Sequence, residues 1–259
     1  MLHPVRVTIM DDLSPRQIEL LKAIILEYTE IGDAVGSDIL DKKYKLGVSP
    51  ATIRNDMVVL AKNGYLKKEY FSSGRVPTAK AFRFYIKNLM HEKELSTAEE
   101  VSYKSDVWDF RHEVHKLLQH SAKALAKRTQ MLAVAITDQG DVYYFGVNNI
   151  LATREFWDIT RARYLFEQFD QIRYWGDIIR KLEKTDDELL FIFADDEDPQ
   201  AENIASVFAD IHCDAFRGAL GVVGPRRMRY DMVVPNVRYF ANLIETIVKE
   251  HSPAAQIHE

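Results

Sequence analysis

From Leu13 to Ile31 apolar residues return every three or four positions: Ile18, Leu21, Ile25 and Tyr28, flanked by Leu20, Ile24 and Leu26. That period predicts a helix buried along one face. Ser14 suits the N-cap, Pro15 the first helical position and Gly32 a left-handed end. A shorter helix is expected over Ser37–Tyr44, with Ser37 as its cap and Ile39, Leu40 and Tyr44 turned to the first helix. After Gly47, Ser49 and Pro50 open a third helix, Ser49–Leu60, whose core stripe is Ile53, Met57 and Leu60. The stripe leaves Ala51, Thr52, Arg54, Asn55 and Val58 on the opposite side. Gly64 ends that helix, and Tyr65–Phe71 reads as a strand. A turn at Ser72–Arg75 leads to an edge strand at Val76-Pro77. Thr78 caps a last helix bearing Phe82, Tyr85, Ile86 and Leu89. Three helices, a hairpin and a fourth helix make the order of a winged helix-turn-helix.

The charged stretch His91–Glu100 marks a boundary. A helix follows over Ser105–Arg128, then strands at Met131–Thr137 and Val142–Val147 joined by Asp138–Asp141. Phe156–Asp170 and Tyr174–Leu182 are helical, Glu188–Ala194 is a strand and Asp195–Pro199 an acidic loop. Ala201–Val207 reads as a short helix, Phe216–Val223 as the final strand and Val233–Glu250 as the final helix. The fold class is therefore α+β, with a winged-helix domain at 13–90 and an α+β sensor-like domain at 105–251. An N-terminal extension (1–12), a linker (91–104) and a disordered tail (252–259) complete the chain.

Charge sharpens the division. Leu13–Met90 holds 13 Lys and Arg against 8 Asp and Glu, whereas the chain as a whole carries −5. A basic segment on an acidic body is the distribution expected where one domain faces phosphate. On the third helix, Arg54 can bond guanine O6 and N7, and Asn55 adenine N6 and N7. Thr52 and Ala51 lie beside them, and Ser49 with the free N–H groups of the first turn suits a phosphate. Lys67, Lys68, Ser73, Arg75, Lys80 and Arg83 would grip the backbone of double-stranded DNA without reading sequence. From pattern alone, a three-helix protein-interaction module with a solvated polar face remains the alternative.

The segments LSPRQIELLKAIILEYTEIGDAVGSDIL, GVSPATIRNDMVVLAKNGYL and SSGRVPTAKAFRFYI resemble the N-terminal domain of the HrcA family of heat-inducible repressors. YYFGVNNILATREFWDI and GVVGPRRMRYDMVVPNVRYFANLI are similar to segments of that family's GAF-like domain. The resemblance implies a GAF-like second domain, repression of chaperone genes at an inverted-repeat operator, and a chaperonin partner. A two-fold operator calls for a homodimer. The family's inserted dimerisation domain has no room here, because MLAVAITDQGDVYYFGV runs almost directly into the second-domain match. Pairing would then fall to exposed apolar surface of the second domain, or to the helices Ser105–Arg128 and Val233–Glu250. Arg226-Arg227 replaces the family's Thr-Arg, and its IGxEN segment has no clear counterpart.

Other signals carry less. A composition of 47% hydrophobic and 28% charged residues is that of an ordinary globular protein. Apolar runs fall far short of the ~20 residues that cross a bilayer, so no membrane association is expected. Met1–Asp12 lacks the layout of a secretory signal. The lone Cys213 fits a reducing, cytoplasmic setting and reads as a small buried hydrophobe. Asp195–Asp198 lacks the spacing of a calcium loop, and His112, His115 and His120 lack the further ligands of a zinc site. Trp108, Trp157 and Trp175 are expected to anchor the core. Neither a phosphate-cradling glycine loop nor a nucleophile elbow is present, so no cofactor and no enzymatic activity are expected. A second functional class stays open, a regulator whose GAF-like domain binds a small metabolite.

Overall fold

The computed structural model describes residues 13–68, 74–185, 187–194, 202–214 and 216–251. Ser73, the extension 1–12, the acidic loop 195–199 and the tail 252–259 lie outside them. Contacts divide the chain into two compact units, Met1–Met90 and His91–Glu259.

Unit 1 opens with α1 (Pro15–Ile31). Ser14 accepts from the Gln17 N–H while the Gln17 side chain accepts from the Ser14 N–H, a reciprocal cap, and Gly32 ends the helix at φ 69°. Next come α2 (Ser37–Tyr44) and α3 (Pro50–Lys62), the latter capped by Ser49. Ser37 is not the cap of α2: Gly36 holds that position without a side-chain bond, and the Ser37 hydroxyl faces Asp38 instead. Leu40 is fully buried, but Ile39 is exposed, because only every third or fourth position of so short a helix meets the core.

β1 (Leu66–Lys68) and β2 (Arg75–Pro77) pair antiparallel, with Lys67 opposite Val76 and Lys68 opposite Arg75. Val35 brings a third segment alongside, exchanging N–H···O bonds of 2.9 and 3.0 Å with Arg75. The glycine of the GRVPT segment makes this approach possible, since a Cβ on Gly74 would lie 2.9 Å from the Ala34 carbonyl. Thr78 caps α4 (Ala79–Asn88), which buries Phe82 and Tyr85.

Unit 2 begins where a linker is expected. Glu92 pairs with Arg238, the Lys93 N–H bonds the Asp231 carbonyl at 2.9 Å, and α5 (Thr97–Trp108) starts at a Ser96/Glu99 capping box. The predicted single helix Ser105–Arg128 is two helices. Tight turns at Phe110, Arg111 and Glu113 separate α5 from α6 (Val114–Thr129). The helical period of the apolar residues continues across that break, which hid it.

β3 (Leu132–Thr137), β4 (Val142–Phe145), β5 (Leu189–Phe193), β6 (Ile204–Cys213) and β7 (Phe216–Pro225) form one antiparallel sheet in the order β4-β3-β7-β6-β5. β6 corrects the short helix expected at Ala201–Val207. Paired on both sides and covered on both faces, it reads as a nearly continuous apolar run rather than an alternation. Val147 does not extend β4 but opens α7 (Val147–Leu151), and Phe156 closes a 3-10 turn, Arg154–Phe156. α8 (Ile159–Phe169) and α9 (Ile172–Leu182) follow. Leu132, Val134, Ile136, Ile204 and Phe208 face Leu165, Trp175 and Ile178 from these helices. The small Ala133 and Ala135 take the other parity, on the side where α6 meets β3 and α10 (Tyr230–His251) meets β6.

Pro235 lies inside α10. Without an N–H it cannot bond the carbonyl of Asp231, four residues back. Lys93 supplies the missing donor.

Of the three tryptophans only Trp175 is a core residue, at 4% exposure. Trp108 is half-buried beneath Lys104 and Arg111, and Trp157 is 72% exposed. His112, His115 and His120 share no face. His112 meets the ring of His251, His115 Nδ1 lies 2.7 Å from the Tyr143 hydroxyl, and His120 stacks on Phe110. Among the described residues no group of His, Cys, Asp and Glu could hold a metal, and no helix is long and apolar enough to cross a membrane. Cys213 is half-buried, and burial, followed by Glu245 and Asp214, pushes its thiol up to about 11.

Candidate nucleic-acid interface

α3 has two chemically distinct faces. Ile53, Met57 and Leu60 are buried, and so is Asp56. A buried carboxylate needs partners, and α1 supplies them. Arg16 reaches both Asp56 oxygens, at 2.7 and 3.1 Å, and Gln17 adds a bond of 3.4 Å. The Arg16 hydrogen bond holds the Asp56 carboxyl below the usual carboxylate range, against the opposing effect of burial. This clamp fixes the rotation of α3 about its axis and therefore the direction of its other face.

On that other face Ala51, Arg54, Asn55 and Val58 are exposed and Thr52 is half-buried. Ser49 accepts from the Thr52 N–H at 3.2 Å, and the two hydroxyls lie 3.1 Å apart. Arg54 rests on α2, donating from Nε to Ser37 Oγ at 3.0 Å and from a terminal nitrogen to Asp38 at 3.3 Å. Both members of the Arg54–Asp38 pair are about two-thirds exposed, so it is weak enough to exchange for another acceptor. The Asn55 side chain makes no hydrogen bond among the described residues.

The flanking cations divide. The pleat sends Lys67 and Lys68 to opposite sides of β1, half-buried and exposed respectively. Arg75 is half-buried, with a terminal nitrogen 3.1 Å from the Gly74 carbonyl. Lys80 is already engaged: its Nζ donates to the Asn63 carbonyl at 2.8 Å and sits 4.4 Å over the Tyr65 ring, closing the C-terminal end of α3. Arg83 is exposed on α4. The structure thus brings Ser49, Ala51, Thr52, Arg54 and Asn55 together on one helix and assigns Lys80 a structural duty.

Sequence reasoning missed Arg16, Ser37 and Asp38, which position α3 and Arg54. An isolated acid among the apolar positions of α3 was the available signal for such a clamp. A second one joins α1 and α2. Glu27, 4% exposed, takes Lys43 at 2.7 Å and the Tyr44 hydroxyl at 3.1 Å. Burial and then Glu27 raise the Tyr44 phenol to about 12.

In unit 2, the two segments matched to the second domain meet. Arg227 forms an ion pair with Glu155. Arg226, only 1% exposed, donates from its backbone and its side chain to the carbonyl and side-chain oxygens of Asn203, both at 2.6 Å. The Tyr230 hydroxyl donates to the Arg226 carbonyl at 2.9 Å.

These features define a two-part α+β protein: a helical unit presenting a rigid, polar helix face, and a unit built on an antiparallel sheet. The family model described as "HrcA protein C terminal domain" matches residues 54–234, well over half of the chain. The chain belongs to the HrcA family. Curated relatives include the heat-inducible transcription repressor HrcA of Alkaliphilus metalliredigens (strain QYMF), 39% identical over 127 residues, which are 49% of this chain and 37% of the relative. The protein of the same description from Clostridioides difficile (strain 630) is 35% identical over 126 residues, 49% of this chain and 37% of the relative. The matched stretch therefore spans little more than a third of these relatives' length. A solved structure described as a hypothetical protein at 2.2 Å resolution shares the fold, with a TM-score of 0.70 at 16% identity over 93% of this chain and 99% of that one.

Proposed function

We propose that this chain is a DNA-binding transcriptional repressor of heat-shock (chaperone) genes, with unit 1 a winged helix-turn-helix and α3 its recognition helix. The single observation that carries this reading is the two-sidedness of α3. One face is locked to α1 through Arg16 and Asp56, and the other presents Arg54 and Asn55 to solvent. A helix fits the major groove, where arginine selects guanine and asparagine adenine, and exposed Val58 suits a thymine methyl. Release of Arg54 from Asp38 exchanges a weak surface pair for a base contact.

Unit 2 is read as a GAF-like domain. The repressor is a homodimer on an inverted repeat, one α3 per half-site. Exposed Leu151, Trp157 and Ile159 offer unit 2 an apolar surface for pairing or for a chaperonin partner. Fluorescence anisotropy on an operator duplex tests the reading. Arg54→Ala or Asn55→Ala should relax preference at particular base pairs by about 1–3 kcal/mol, while Lys68→Ala should weaken all sequences alike and reduce the salt slope by about 1. Equal loss at every sequence for all three variants would contradict α3 as the reader. Sedimentation of a monomer at operator-saturating concentration would remove the homodimer.

A further inference from the structure

We propose that unit 2 binds a small, single-ring organic acid carrying a second polar group, in the cavity between α8, α9 and the sheet. The cavity measures about 300 Å³, the low end for a small-molecule site. Its floor is a row of three residues directly opposite one another on neighbouring strands: Ile192 on β5, Ser206 on β6 and Val223 on β7. The two outer members are apolar, as are the other sheet residues of this core. Ser206 is the exception. It is 4% exposed, lines the cavity, and its hydroxyl makes no hydrogen bond among the described residues. The hydroxyl is open to the cavity, so a polar group of an occupant can bond it.

Tyr164 supplies an aromatic wall and Ile204 further apolar floor, which together suit a ring. The exposed Arg173 also lines the cavity, with no ion-pair or hydrogen-bond partner among the described residues. The neighbouring Asp177 is already paired with Arg180, so the unspent charge of the site is positive. Arg173 takes the carboxylate of the ligand, and Ser206 takes its second polar group. The site goes beyond the repressor reading and does not depend on it, because no DNA is needed to observe it.

The test is a thermal melt of the full chain with 3-(4-hydroxyphenyl)propionate, its deoxy analogue 3-phenylpropionate, and the uncharged 3-(4-hydroxyphenyl)propionamide. The hydroxy acid should raise the Tm by about 5 °C or more at 100 times its Kd. Ser206→Ala should abolish the preference for the hydroxy acid over the deoxy acid, and Arg173→Gln the preference for acid over amide. Both variants keep the apolar core, and a melt without ligand checks their folding. No shift with the hydroxy acid at millimolar concentration means the cavity holds water only, and overturns the proposal. An equal shift in wild type and both variants places the probe elsewhere and overturns it too.

Discussion

Unit 1 places its charges between helices: Arg16 with Asp56 and Lys43 with Glu27 set the angles of α3 and α2 against α1. Unit 2 centres instead on a five-stranded sheet with apolar residues covering both faces, and sets ion pairs such as Arg227 with Glu155 and Arg128 with Asp106 around it. The difference teaches where rigidity is needed. A recognition helix must hold a fixed rotation, and directional ion pairs specify rotation better than interchangeable apolar contacts. The sheet has only to stay folded around its core and cavity.

The largest expected effect falls on the sheet. Phe208→Ala removes a fully buried ring and should cost about 3–5 kcal/mol in chemical denaturation. If the contrast holds, the near-ultraviolet signal of Trp175 is lost at lower denaturant while the helices of unit 1 persist. Simultaneous loss of both would break it.

Asp56→Asn comes next. The lowered Asp56 pKa means that its stabilisation is complete above the unfolded-state value near 4 and fades as pH falls through the lowered native one. Wild type should therefore lose stability on acidification in that window, and the variant should be less stable at pH 7 with a flatter acid limb. Parallel limbs would show that the Arg16–Asp56 clamp contributes nothing.

A smaller effect, about 1 kcal/mol, is expected for Ser49→Ala, which removes the α3 cap. The smallest belongs to Arg54→Ala. Its pair with Asp38 is exposed, so urea melts should change by less than about 0.5 kcal/mol. A large destabilisation would make Arg54 a structural residue and weaken its assignment as a reader.

The same contrast explains what the sequence disclosed. α1, α3 and α4 were legible because caps and periodic stripes are local: Ser14, Gly32, Ser49 and Thr78 all act within a few residues. The polar face of α3 followed from its stripe. β6 was not legible, because pairing with β5 and β7 overrides the helical look of Ala201–Val207. Nor was the break after Trp108, since tertiary packing rather than a proline or glycine divides α5 from α6. The hold of Ser37 and Asp38 on Arg54 depends on how α2 meets α3, which one-dimensional pattern does not encode.

The most direct test of α3 as a reading head is selection of bound duplexes from a random pool, repeated at two salt concentrations with wild type and the Arg54→Ala/Asn55→Ala double variant. The account predicts an inverted repeat enriched by wild type, weaker at high salt and lost from the double variant's pool. Absence of any enriched sequence, or the same repeat recovered with the double variant, would contradict it.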